Sequence, residues 1–154
     1  MNYVSAAGIG AVSGLRSMAG PAIVAEAAGS HRINLRGTPL SWLGSDHAMR
    51  TSALLAVGEL IADKFPSAPD RLNSASLIAR ATSGAVCGYA ICRRERPDRE
   101  KWGSALVGAA AALAASWIGS TFRKNTKLPK FAAALAEDAV AMTAGAAVVA
   151  VIGS

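Results

Sequence analysis

Between Lys101 and Arg123 lie 21 consecutive residues without a charge, Trp102 to Phe122. A helix needs about 20 predominantly apolar residues to cross a bilayer. A run of this length bounded by bases, with Trp102 at one end, therefore predicts a membrane span. The soluble alternative is a buried, alanine-rich core helix. Composition favours the span. Only 17% of the chain is charged, against about 25% in an ordinary soluble domain. Hydrophobic residues make up 52%, 35 alanines among them, and there are 15 glycines besides. This excludes a disordered chain, which needs low hydrophobicity and high charge.

Four further apolar segments surround that run. They cover about residues 3–28, interrupted near Gly20-Pro21; 48–63; 74–92; and 130–152. Prolines and polar clusters separate them: Gly37, Pro39 and Gly44, then Pro66 and Pro69, then Pro97, then Pro129, which suits a helix start. Long alternating runs of β-branched residues are missing, so strands are not expected. The expected architecture is all-α: one domain over 1–154, a polytopic membrane bundle of about four to six helices. Its first helix is expected to break near Gly20-Pro21.

Helices in lipid gain little from hydrophobic burial against one another, so small residues that let backbones approach become the packing device. Gly10 with Gly14, Gly84 with Gly88, Gly108 with Ala112 and Ala115 with Gly119 all have that spacing. These Gly/Ala faces are candidate surfaces for packing within the chain or between copies in a homo-oligomer. The net charge of +6 sits in loop clusters such as Arg93–Lys101 and Arg123–Lys130. Such clusters suit anionic lipid headgroups, and no nucleic-acid motif accompanies them. The N-terminal Met1-Asn2-Tyr3-Val4 lacks the basic region of a signal peptide, so the first apolar stretch is expected to be kept. Cys87 and Cys92 have neither redox nor zinc spacing and read as small buried residues. His31 and His47 form no metal or catalytic pattern. No catalytic residue, metal or cofactor is expected.

The informative residues are ionisable groups inside apolar segments: Arg16, Glu59, Asp63, Lys64, Arg80, Glu137 and Asp138. A charge at a helix centre costs about 2.5–3.5 kcal/mol on insertion scales, so such groups face protein and pair. Glu59 and Asp63 share a helix face at i, i+4. They predict a proton or cation site, or a partner for Arg16 or Arg80. Alternatively, Asp63 and Lys64 mark the interfacial end of their helix before Pro66. Arg80 shares a face with Gly84 and Gly88 and should point into protein. Glu137 and Asp138 point about 100° apart, so one is expected to pair with an arginine and the other to reach a cavity or loop. Arg16, Glu59, Arg80 and Glu137 are expected to converge. The ligand or ion pathway therefore comprises Arg16, Glu59, Asp63, Arg80, Glu137 and Asp138. Broken helices beside buried charge occur at the midplane sites of secondary transporters. That favours a small transporter, or a membrane protein that binds a small polar or ionic substrate. The rival is a structural or assembly protein whose charges are only ion-pair locks.

Two stretches carry a family resemblance. One is Gly14-Leu15-Arg16-Ser17-Met18 followed by Gly20-Pro21-Ala22; the other is Gly58-Glu59-Leu60-Ile61-Ala62-Asp63-Lys64-Phe65-Pro66, with Asp70 and Arg71 after it. Together they resemble small bacterial membrane proteins of domain-of-unknown-function family 4126. Arg80 with Gly84-Ala85, and Glu137-Asp138, also fall where that family's features are expected. The high alanine content and the charged Arg93–Lys101 linker depart from it. The resemblance implies an integral, helical protein of the bacterial cytoplasmic membrane, and no established activity.

Overall fold

The computed structural model describes residues 2–62, 73–92, 97–126 and 130–152. Six α-helices follow one another: α1 (Asn2–Leu15), α2 (Ala19–Gly29), α3 (Asp46–Ala62), α4 (Ser74–Ala90), α5 (Asp98–Asn125) and α6 (Lys130–Ile152). A short 3-10 turn, Ser41–Gly44, precedes α3. No strand occurs among the described residues.

Local chemistry sets the helix ends. The Ser45 hydroxyl accepts from Ala48 N at 3.2 Å and opens α3. The Asn73 side chain accepts from Ala75 N at 3.1 Å and opens α4. Both satisfy amides that the first helical turn leaves without partners. In α5, Asp98 and Glu100 occupy the first turn and Arg123 and Lys124 the last, each sign opposite to the helix dipole at its end. Past the end of α2, His31 takes a left-handed conformation (φ 61°). The chain there turns back so that Arg32 N and Ile33 N both donate to Ala27 O.

The break in the first apolar segment lies at Arg16–Met18, one turn before Gly20-Pro21. The reason is the proline. Its ring clashes with the carbonyl four residues earlier, and it has no N–H to donate there. For Pro21 that carbonyl belongs to Ser17. The cause sits at Pro21 and the fracture appears at Ser17, with Pro21 itself inside the first turn of α2.

Helices α1, α4 and α5 pack mutually as a tight triad, α6 lies against α1, and α2 lies against α3, α4 and α6. The triad is held through small residues. A methyl added to Gly10 would overlap the backbone of Gly108, one on Gly14 would overlap Ala112, and one on Gly84 would overlap Gly108. Gly88 lies in the same way on Ser104. Both glycine pairs singled out in the sequence are therefore used within the chain, against one stripe of α5. An apolar core of Ile9, Val24, Ile33, Leu35, Leu43 and Cys87 fills the space between α1, α2, α4 and the loop before α3. Both cysteines are free and buried.

Gly58 of α3 is the exception, with no described atom within 4 Å of where a Cβ would stand. Glycine inside a helix costs about 1 kcal/mol relative to alanine. Gly58→Ala should therefore stabilise the chain by about 1 kcal/mol, a rise of roughly 2–4 °C in melting temperature. Thermal circular dichroism in detergent would check it, and a fall would mean that α3 packs on something through this glycine.

Candidate functional site: the helix break

A break in a helix creates two new ends, and each needs partners. In an unbroken helix Met18 N would donate to Gly14 O and Ser17 N to Ser13 O. Here both amides turn to Glu59 of α3. Its Oε1 accepts from Ser17 N at 2.9 Å and from the Ser17 hydroxyl at 3.0 Å. Its Oε2 accepts from Met18 N at 2.8 Å. Glu59 thus caps α2 from another helix, with its negative charge at the positive end of the α2 dipole.

The other side of the fracture is finished by positive and hydroxyl donors. Arg80 Nη1 donates to Gly14 O at 2.5 Å, and the Ser116 hydroxyl donates to the same oxygen at 2.9 Å. Arg80 Nε is steadied by the Ser76 hydroxyl at 3.2 Å. The guanidinium stands at the carbonyl end of α1, where the dipole favours a cation. The Ser17 carbonyl, which Pro21 cannot serve, accepts from the Ser83 hydroxyl at 2.5 Å.

Arg16 lies within the fracture, 3% exposed. Its Nε donates to Asp138 Oδ1 of α6 at 2.7 Å, and its Nη2 meets the same carboxylate oxygen. The pair ties α6 to the break. Cys87 lies just beneath: a methyl on Gly20 of α2 would stand 3.2 Å from its sulfur, and Ser13 and Ser83 lie beside the thiol.

The structure thus brings together Arg16, Glu59, Arg80 and Asp138, four of the six residues singled out in the sequence. Asp63 lies outside the described residues, and so do Lys64 and the side chain of Glu137. One expectation changes. Among the described residues Glu59 pairs with neither Arg16 nor Arg80; its partners are backbone amides and one hydroxyl. Among the described residues Arg16 meets the Asp138 carboxylate and Arg80 meets the end of α1. Sequence reasoning missed Ser83 and Ser116. Their signal was position: Ser83 is three residues after Arg80, and Ser116 continues the Gly108, Ala112 stripe at i+4.

The exposure of α5 is inverted relative to a soluble helix. Its buried face is Ser104, Ala105, Gly108, Ala112, Ser116, Gly119 and Ser120. Its outward face carries Trp102 (65% exposed), Leu106 (71%), Trp117 (64%), Ile118 and Phe122. Among the described residues this is the one helix long and apolar enough to cross a membrane, with Tyr3–Leu15 and Asp138–Val151 as shorter apolar helices.

Small residues and charges inside, large apolar residues outside, and a fractured helix closed by opposite charges define a class: an all-helical protein organised around a capped helix break. Residues 4–152 match the family described as Domain of unknown function (DUF4126). The chain belongs to that family. Comparison with curated proteins and with solved structures finds no match.

Proposed function

We propose that the chain is a polytopic integral membrane protein, placed in the bacterial cytoplasmic membrane, whose buried charges lock a broken helix in one conformation. The observation that carries this reading is the distribution of polarity: Arg16 and Arg80 are buried while Trp102, Leu106 and Trp117 are exposed. In water that arrangement is unfavourable on both counts, since exposed apolar area costs about 25 cal/mol per Å2 and buried charge needs compensation. In lipid both terms reverse or vanish, provided that freed backbone groups are satisfied within protein, as they are at Gly14, Ser17 and Met18.

The lock reading assigns each charge a structural task and assigns no enzymatic reaction. Small-residue faces shared by α1, α4 and α5 are spent within the chain, so a homo-oligomer would form through other surfaces. A second reading, a small transporter of a polar or ionic substrate, is favoured by one observation, the fracture itself. Half-helix ends at depth are the usual seat of such substrates, and here the chain's own Glu59 sits in that seat.

Membrane fractionation with an alkaline carbonate wash tests the shared premise. The chain should stay in the pellet and need detergent. Release into the supernatant would overturn both readings. Uptake into proteoliposomes then separates them: the lock reading expects none above empty vesicles.

A further inference from the structure

The helix break also reverses the chain. Helix α6 serves as a ruler: Arg16 meets Asp138, Gly8 lies against Val148, and Ile23 lies against Gly145. From Gly8 to Arg16 the chain therefore climbs α6 from Val148 to Asp138, and from Arg16 to Ile23 it descends toward Gly145 again. Helix α3 gives the same sense for α2. Met18 meets Glu59 near one end of α3, and Gly29 lies against Met49 near the other. Helix α5 runs beside α1 in the same direction, with Tyr3 at Gly103, Gly10 at Gly108 and Gly14 at Ala112. The two arms, α1 and α2, thus lie side by side and not end to end.

Each arm is too short to cross a bilayer. α1 has 14 residues and α2 has 11, about 21 and 17 Å at 1.5 Å per residue, against a hydrocarbon core of about 30 Å. Each reaches about half-way, and the tip sits accordingly. The central residue of the uncharged run Trp102 to Phe122 is Ala112. The last turn of α1 rests there, with Gly14 on Ala112 and its carbonyl bonded to Ser116. The open end of the hairpin lies at the border of the same run. Tyr3 stands by Gly103, next to the exposed Trp102, and Gly29 leads into the loop that carries the exposed Trp42. Tryptophans favour the level of the lipid headgroups. The loop closes this end, burying Ile33, Leu35 and Leu43 in the core and leaving Arg32 and Arg36 exposed.

We infer that α1 and α2 form a re-entrant hairpin, which enters the bilayer from the face that carries residues 30–45 and turns back at mid-depth. Residue 2 and residues 30–45 then share one face of the membrane, and the end of α5 at Arg123–Asn125 stands on the other. The inference rests on the membrane reading above and goes beyond it, since the first apolar segment is long enough to cross and does not. It also sets the depth of the lock. Irregular backbone in hydrocarbon persists only where protein satisfies it, and charge is costliest at the centre. The tip is accordingly met from α3 by Glu59, from α4 by Arg80 and from α6 by Asp138.

The test uses chains with two added cysteines and a maleimide-polyethylene glycol too large to cross a membrane, applied to intact spheroplasts. One chain carries Asn2→Cys with Asn34→Cys, the other Asn34→Cys with Asn125→Cys. The native cysteines are buried and stay in place, so the parent chain gives the background. Asn34 and Asn125 are exposed, and helical circular dichroism in detergent confirms that the variants fold. In the first pair every molecule should take two labels or none, and in the second pair just one, in whichever orientation the chain inserts. Mild detergent should bring both pairs to two labels. One label per molecule in the first pair means that the first apolar segment crosses the bilayer, and overturns the inference. Two labels or none in the second pair also overturns it, because α5 then does not separate the faces. A chain that resists alkaline wash yet fails either pair refutes the hairpin alone. A chain that washes off refutes the membrane reading and the hairpin with it.

Discussion

Asp138→Asn should lower the stability of the protein in detergent by about 3 kcal/mol, because it removes the carboxylate charge that meets the buried Arg16 guanidinium. For a chain of this size that is a fall of roughly 6–12 °C in melting temperature. The asparagine oxygen can still accept from Arg16 Nε, so the change isolates charge from hydrogen bonding. The double variant Arg16→Met, Asp138→Asn should recover much of the loss. Replacing both members of a buried pair by groups without charge is close to neutral, whereas removing one is costly. Thermal unfolding followed by circular dichroism, completed as a double-mutant cycle, reads the coupling. If the double variant is no better than the sum of the singles, Arg16 has a task at the break beyond meeting Asp138. A transport site behaves differently in the same cycle: both singles would lose uptake at unchanged stability, and the double would not regain it.

Much of this arrangement was legible in the sequence. The apolar segments end within a few residues of the helices because charges and prolines mark the borders of apolar runs. α6 spans Lys130–Ile152, after the proline that suits a helix start. Arg80, Gly84 and Gly88 share a buried face because their spacing follows the helical repeat, and Asp138 of the adjacent acidic pair meets Arg16. What the sequence hid was of two kinds. The fracture appears four residues before its cause, since a proline disturbs the carbonyl of the preceding turn. The partners of Glu59 are backbone amides, and every residue but proline has one, so no side-chain pattern points to them. The i, i+4 spacing of Glu59 and Asp63 points to a proton or cation site or to an arginine partner, and it carries no sign of the helix terminus that Glu59 caps.

Glu59→Ala should have the largest local effect of any single change at the break. It removes the acceptor for two backbone amides and one hydroxyl together. An unsatisfied buried donor costs about 1–3 kcal/mol, and these amides are part-buried, so the combined loss is about 2–4 kcal/mol even if the hydroxyl turns elsewhere. Glu59→Gln should fall between alanine and the parent. One end of its amide accepts as before, but the other presents N–H groups to a donor, either Met18 N or the Ser17 pair. The effect should be seen first at the fracture and only then globally, since α3 packs on α2 and the 3-10 turn while α1, α4 and α5 hold one another without it. Two local observations follow. The amides of Ser17 and Met18 should exchange with solvent deuterium slowly in the parent and rapidly in Glu59→Ala. Cys87, buried under Gly20 and beside Ser83, whose hydroxyl donates to the Ser17 carbonyl, should pass from inert to reactive toward a maleimide, measured with Cys92 replaced by serine. A lock predicts that both signals change together and in proportion to the stability lost. Were Glu59 instead standing in for a substrate, the alanine variant would lose uptake while Cys87 stayed closed, because the seat would be emptied without the joint being undone.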